Sequence, residues 1–344
     1  MTAFERSNSS VVMSAVTMAP SMAHDSSDDT RPLADALCRA LDLAEVADVR
    51  QLSGGASRQT FTFTATGDDL PARRLVLQRE RPGGTERAVG VAAQAAILRV
   101  AARAGAPVPA LVDHGDDDGI GGPWLVTEHV EGETIARRIL RDEEYRDARS
   151  VLTVQCAAAL AAIHRIDCTS IELPESDDIL LDWRDLMDGY GHPHPAFELA
   201  FRWLADRRPP SVRRGLVHGD FRLGNLIVDG SGLAAVLDWE LAHVGDPIED
   251  LGWLCVNAWR FGGSEPVAGV GRYDELLDAY ETASGVAVDP AHLRWWETFG
   301  TLRWGLICIT QSEAHRQGRH RSVELAAIGR RVCENELDLL ELVT

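Results

Sequence analysis

Leu216-Val217-His218-Gly219-Asp220-Phe221-Arg222-Leu223-Gly224-Asn225-Leu226-Ile227-Val228-Asp229, followed by Val236-Leu237-Asp238-Trp239-Glu240, is the stretch that decides how this chain is read. Two apolar runs, Asn225–Val228 and Ala234–Asp238, flank the turn Asp229-Gly230-Ser231-Gly232, which predicts a β-hairpin. Gly215–His218 predicts a strand leading into it. Asp220 and Asn225 lie five residues apart on the loop that feeds the hairpin, and Asp238 ends its return strand. A hairpin doubles back on itself, so Asp238 should return beside Asn225 and Asp220. Phosphoryl transfer needs a carboxylate near the attacking hydroxyl and oxygen ligands that fix a metal against the phosphates. It also needs positive charge where negative charge builds up. Asn and Asp oxygens together form a hard site suited to Mg²⁺.

Working outward, Pro32–Leu43 has helical apolar spacing, and Gln51–Thr66 and Arg74–Arg79 read as antiparallel strands. Glu86–Ala104 is alanine-rich and predicts a helix, ended by Gly105 and the Pro107-Val108-Pro109 break. Short strands around Ala110–His114 and Trp124–His129 come next. Beyond Glu131-Gly132 the chain turns helical, over Thr134–Asp142, over Glu144–Ile166 and over most of the chain beyond Asp246. The expected organisation is a tail over residues 1–30, a β lobe over 31–126, a connector over 127–133 and a helical lobe over 134–344. A cleft between lobes is where ligand sites favour forming.

Composition narrows the partners. The chain has 344 residues, enough for a sizeable core, and a net charge of −19. Such a field repels nucleic acid and anionic membrane, so neither is expected as a partner. No apolar run reaches membrane-spanning length. The six cysteines are scattered with no CxxC pair, which argues against a disulfide framework or zinc site and fits a reducing cytoplasm. The first 30 residues, rich in Ser, Met and Asp, read as a disordered appendage, with a start codon placed too far upstream as one origin. Glu5 and Arg6 deprive it of the positive start of a signal peptide.

The ordered set His218-Gly219-Asp220…Asn225, an apolar strand, then Leu237-Asp238-Trp239-Glu240 resembles the motif of aminoglycoside phosphotransferases, over roughly residues 35 to 340. It is similar, more remotely, to the HRDxxxxN and DFG elements of protein kinases. Within that family it looks most like the group that includes kinase-like domains attached to some acyl-CoA dehydrogenases. The resemblance implies an α+β, protein-kinase-like bilobal fold: a five-stranded antiparallel sheet plus helix, then a mainly helical lobe. It implies ATP or GTP and Mg²⁺ as cofactors and a small molecule bearing a hydroxyl as acceptor. Asp220 would be the catalytic base or hydroxyl-orienting group, Asn225 and Asp238 the metal ligands, and His218 a brace for the loop. Arg222 would face the transferred phosphate. Asp246 and Asp250 would tie the catalytic loop to the helix after it.

Upstream, Ser53-Gly54-Gly55-Ala56-Ser57 sits between strands as a phosphate-covering loop would, its glycines letting backbone N–H groups approach phosphate oxygens. Candidate nucleotide contacts there are Ser53, Gly54, Gly55 and Ser57. Backbone groups of Glu128, His129 and Val130 would meet the adenine edge. One departure stands out. The strand position that carries a phosphate-binding Lys or Arg in this family is Gln78, and the helix position of its glutamate partner is Gln94. A Gln78–Gln94 hydrogen bond is then expected to hold the helix, with Arg222 and Mg²⁺ supplying the charge. This paired change also fits the alternative of a nucleotide-binding pseudokinase serving as an interaction module. A protein kinase is not favoured, because HRD, DFG and APE elements are missing. Trp296, Phe299 and Arg303 share a helix face near Trp259, Arg260 and Tyr273, as an acceptor wall or as core packing. The basic run His315–Arg321 suits an anionic acceptor, such as a CoA-linked hydroxyacyl group, better than a polycationic aminoglycoside.

Overall fold

The computed structural model describes residues 30–52, 58–67, 70–80, 89–210, 214–319 and 322–344. The tail (1–29), the glycine run 53–57 and residues 86–88 of the expected helix lie outside these.

The chain opens with α1 (Arg31–Ala40), whose apolar residues Leu33, Ala36 and Leu37 recur at helical spacing and are buried. Five strands then build one antiparallel sheet in the order β1-β2-β3-β5-β4: β1 (Glu45–Leu52), β2 (Arg58–Gly67), β3 (Leu70–Glu80), β4 (Leu111–Gly115) and β5 (Trp124–Glu128). Where two extended runs were expected ahead of the helix, the structure has three strands. Alternation sorts their side chains cleanly. Phe61, Phe63 and Ala65 of β2 and Leu75 and Leu77 of β3 join α1 in one apolar cluster on the outer face. Each fully buried leucine contributes about 1.5–3 kcal/mol relative to exposure. Residues of the opposite parity, Arg58, Thr60 and Thr62 on β2 against Glu80, Gln78 and Val76 on β3, face inward. On that side lies α2 (Val91–Arg103).

The helical part begins with α3 (Ala136–Arg141) and α4 (Arg146–His164), then α5 (Ile179–Tyr190) and α6 (Pro195–Asp206). Short strands interrupt it: β6 (Gly215–Val217), the hairpin β7 (Leu226–Asp229) and β8 (Gly232–Val236), and β9 (His243–Gly245). β6 pairs with β9, a strand that sequence patterning does not resolve, and not with the hairpin. The chain closes with α7 (Ile248–Cys255), α8 (Tyr273–Ser284), the long α9 (Pro290–Arg316), α10 (Val323–Ile328) and α11 (Val332–Val343). One large apolar core runs through these helices and takes in Ile97 and Leu98 of α2. The sheet is therefore clamped between α1 outside and α2 inside, and α2 is shared with the helical part. Glu133, just past the connector, exchanges two backbone hydrogen bonds with Val228 of the hairpin (2.8 and 3.0 Å). Among the described residues no helix is long and apolar enough to cross a membrane, and all six cysteines are free.

Candidate active site

The loop between β6 and β7 is shaped by a residue that must be glycine. Gly219 has φ +81°, and a Cβ there would fall against the carbonyl oxygen of Leu241. Only a residue without a side chain accepts both constraints. The next residue, Asp220, is turned inward and is buried. Its carboxylate accepts from three donors. Arg222 Nε approaches both oxygens (3.0 and 3.2 Å), Asn225 Nδ2 reaches Oδ2 (2.6 Å) and Trp253 Nε1 reaches Oδ1 (2.8 Å). Trp253, on α7, was not singled out from the sequence; nothing marks an indole N–H as an active-site donor until the fold places it.

Arg222 lies against the carboxylate of Asp220. Its guanidinium is buried, bonded to Asp220 and stacked over the Trp259 ring at 4.7 Å. A cation so placed positions the carboxylate and gains from the aromatic face.

The hairpin delivers Asp238 as the sequence predicts. Leu237 N–H donates to the Asn225 carbonyl (2.8 Å), so Asp238 stands beside the start of β7. Asp238 has φ 68° and ψ 67°, the left-handed region in which aspartate and asparagine are the most tolerant of ordinary residues. Its carboxyl is pushed up to about 8, first by the scarcity of water around it, then by the carboxylates of Glu240 and Asp220. Arg222 and Arg58 pull the other way. A site that concentrates carboxylates in this way is one that a cation would relieve. Among the described residues neither the Asp238 carboxylate nor Asn225 Oδ1 takes part in a hydrogen bond. Asn225 instead spends its Nδ2 on the Asp220 side chain and on the Asp220 carbonyl (3.0 Å). Two uncommitted hard oxygens on residues that the hairpin brings together fit Mg²⁺.

Two buried networks hold this loop. His218 donates through Nε2 to the Leu237 carbonyl (2.9 Å) and accepts the Asp220 N–H at Nδ1 (3.2 Å), which fixes its tautomer. Burial pushes its pKa down, so it braces the loop as a neutral ring. The fully buried Asp250 on α7 accepts the N–H groups of His218 (2.8 Å) and Gly219 (2.9 Å) and a bond from His164 (3.1 Å), which in turn meets Tyr280. Burial works against the ionised carboxyl of Asp250, yet His164 and these donors hold it below its ordinary value. The second network runs from His243 through Glu249 to Arg303, whose Nη2 donates to the Gly219 carbonyl (3.0 Å). Asp246, expected to tie to the loop, instead accepts from Ile248 N–H, His292 and Trp296, and so fastens α7 to α9.

On the sheet side the expected Gln78–Gln94 bond is not formed. Gln94 is buried and its Oε1 accepts from Arg58, a β2 residue not among the sequence-predicted site residues. Arg58 Nη2 also donates to the Val89 carbonyl (2.9 Å), which Gln94 Nε2 shares (2.5 Å). Gln78 is half-buried and faces the same way as Arg58. The clue in the sequence was parity: Arg58 and Thr60 alternate with the buried Phe61 and Phe63. In the connector, the N–H groups of Glu128 and His129 are already bonded to the carbonyls of Ala110 and Arg74. The Glu128 carboxylate pairs with Arg73 (2.8 Å). Among the described residues Val130 alone of the three has a backbone engaged in no such bond. Ser53, Gly54, Gly55 and Ser57 lie outside the described residues.

The aromatic face of α9 is core. Trp295, Trp296, Phe299 and Trp304 are buried, with Trp295 stacked on Phe299, Trp296 edge-on to Phe299 and Trp304 tilted against Trp259. Arg303 serves the catalytic loop, and Arg260, Glu297 and Tyr273 satisfy one another. Of the basic run, Arg316 pairs with Glu313 and His315 Nδ1 accepts the Ser322 N–H; His320 and Arg321 lie outside the described residues.

Comparison with known proteins gives a consistent result. Residues 48–296 match a family described as the phosphotransferase enzyme family. Acyl-CoA dehydrogenase family member 11 of Gallus gallus is 31% identical over 295 residues, covering 76% of this chain. The chain spans only 21–36% of the length of the first curated relatives it matches. Among solved structures, a candidate aminoglycoside phosphotransferase from Ralstonia eutropha superposes with a TM-score of 0.69 at 21% identity, over 92% of this chain and 98% of that one. An aminoglycoside phosphotransferase in ternary complex with ADP and hygromycin B does so with a TM-score of 0.58 at 18% identity, over 90% and 97%. These likenesses establish the kinase-like fold.

Proposed function

Because the chain belongs to the phosphotransferase enzyme family, we propose that it is an ATP- and Mg²⁺-dependent kinase that phosphorylates a hydroxyl group on a small molecule. The observation that carries this is the convergence of Asp220, Asn225 and Asp238 on one buried, doubly braced loop and hairpin. Asn225 Oδ1 and Asp238 would hold the metal, which when bound neutralises charge on the phosphates. Asp220 orients the acceptor hydroxyl and takes its proton. Arg222, Asn225 and Trp253 keep that carboxylate in one rotamer, so little reorganisation is needed when the hydroxyl arrives. Val130 offers the free backbone edge for the adenine, and GTP is the alternative donor to be distinguished by assay.

For the acceptor, the names of the curated relatives point to acyl-CoA chemistry, so a hydroxyacyl group, CoA-linked or free, is the first class to try. Aminoglycosides, as in the hygromycin complex, and sugars are the comparison set. The test is Mg²⁺-dependent nucleotide turnover across those acceptors, with Asp220→Ala and Asp238→Ala alongside. Acceptor-stimulated turnover abolished in both variants supports the reading. Nucleotide binding with no stimulated turnover by any acceptor would favour the interaction-module alternative.

A further inference from the structure

We propose that Arg58 is the phosphate-binding cation of this protein, relocated from β3 to β2, with Gln94 as its neutral holder. The inference rests on the kinase reading above and extends it to the nucleotide side of the cleft.

A kinase-like site needs a fixed cation on the sheet, opposite the metal, to bind the non-transferred phosphates. The inward residue on β3 is Gln78, which carries no charge, and Arg79 points the other way, its guanidinium over Phe61 and bonded to Gln59. Arg58 supplies what is missing. Cross-strand pairing sets Arg58 opposite Glu80 and Thr60 opposite Gln78, so Arg58 and Gln78 are diagonal neighbours on one face. Diagonal positions are about 7–8 Å apart, a span that a long side chain covers.

The surroundings point to the same role. The guanidinium is nearly buried, at 6% residue exposure, yet its two described hydrogen bonds go to neutral acceptors, the Gln94 amide and the Val89 carbonyl. The nearest ion-pair distance is 3.9 Å, to Glu80, beyond hydrogen-bonding range. A buried guanidinium held by amides keeps more of its charge for an incoming anion than one clamped by a carboxylate. The same contacts aim it. Val89 N–H donates to the carbonyl of Glu240 (2.9 Å), two residues from Asp238. Arg58 therefore stands across the cleft from the metal-ligand loop, where the phosphates of a metal-bound nucleotide would lie. On this view Gln78 and Gln94 are the consequence of a moved cation. A glutamate at position 94 would quench it, and a second cation at position 78 would repel it.

The test is equilibrium binding of Mg·ATP and of adenosine to the full chain, for wild type, Arg58→Gln, Arg58→Lys and the double variant Arg58→Gln/Gln78→Lys. Glutamine can still bond Val89 and Gln94, which favours a folded protein, and adenosine binding reports an intact cleft. Arg58→Gln should lose about 10- to 100-fold in Mg·ATP affinity, the range of a lost charge-assisted hydrogen bond, with adenosine affinity unchanged. Arg58→Lys should fall between wild type and Arg58→Gln. Returning a cation to β3 in the double variant should recover most of the loss. Undiminished Mg·ATP binding by Arg58→Gln would overturn the assignment while leaving the kinase reading standing. So would adenosine binding that falls in step with ATP, or equal losses in the glutamine and lysine variants, each of which makes Arg58 a packing residue. Wild-type protein that binds neither ligand would sink both.

Discussion

Replacing Asp250 with asparagine tests whether the catalytic loop is held from beneath. The side chain is fully buried and accepts three hydrogen bonds, from the N–H groups of His218 and Gly219 and from His164. Asparagine has the same shape but only one acceptor oxygen, so at least one donor would meet an amide N–H group. A buried donor left unpaired costs about 1–3 kcal/mol, and the weakened contact with His164 adds to this. The sum is about 2–4 kcal/mol, which for a chain of this size lowers the melting temperature by about 3–6 °C. Because the folded carboxyl sits below its reference value of 3.8, its contribution is present at neutral pH and is lost as pH falls through the folded value. The gap in melting temperature between wild type and Asp250→Asn should therefore hold between about pH 5 and 8 and narrow below about pH 4. Turnover should fall as well, since the N–H groups of His218 and Gly219 set the position of Asp220. Calorimetry or a dye-based melt at several pH values reads this out. A variant that melts within about 1 °C of wild type at pH 7 would refute the reasoning.

Three further outcomes are expected from the same geometry. Asp238→Asn removes a carboxyl raised to about 8, whose stabilising effect is present below pH 3.8 and is lost as pH rises to about 8. In the metal-free protein the variant should match wild type near pH 4 and become steadily more stable than it as pH rises toward 8, by roughly a few kcal/mol at the upper end, while Mg²⁺-dependent binding is lost. Gly219→Ala places a methyl against the Leu241 carbonyl at a positive φ, and chemical denaturation should show a loss of about 2–4 kcal/mol. Trp253→Phe keeps the packing but deletes the donor to Asp220 (2.8 Å). Steady-state kinetics should show kcat about tenfold lower with nucleotide KM little changed.

Much of this was legible because it is local. The strand–loop–hairpin around Asp220, Asn225 and Asp238 is written in alternation and turn residues, and a hairpin carries its own geometry. The β6–β9 pairing was not, because short strands distant in sequence leave no periodic signal. Trp253 and Asp250 were hidden in different degrees. The tie of Asp250 to the loop is what the family resemblance implies, whereas the indole of Trp253 becomes a donor only through the packing of α7. The position of Arg222, two residues after Asp220, suggests a phosphate contact, but position does not reveal that Trp259 offers its guanidinium an aromatic face. Arg58 was hidden for the converse reason. The residue type absent from β3 draws attention to that strand, while register across two strands shows where the charge has gone.

The most direct test of the central claim is acceptor-dependent phosphoryl transfer by Asp220→Asn, measured beside its affinity for Mg·ATP. If Asp220 handles the acceptor hydroxyl, transfer should fall by about 10²–10⁴-fold while nucleotide affinity stays within a few-fold of wild type. Transfer that survives the substitution undiminished would contradict the account.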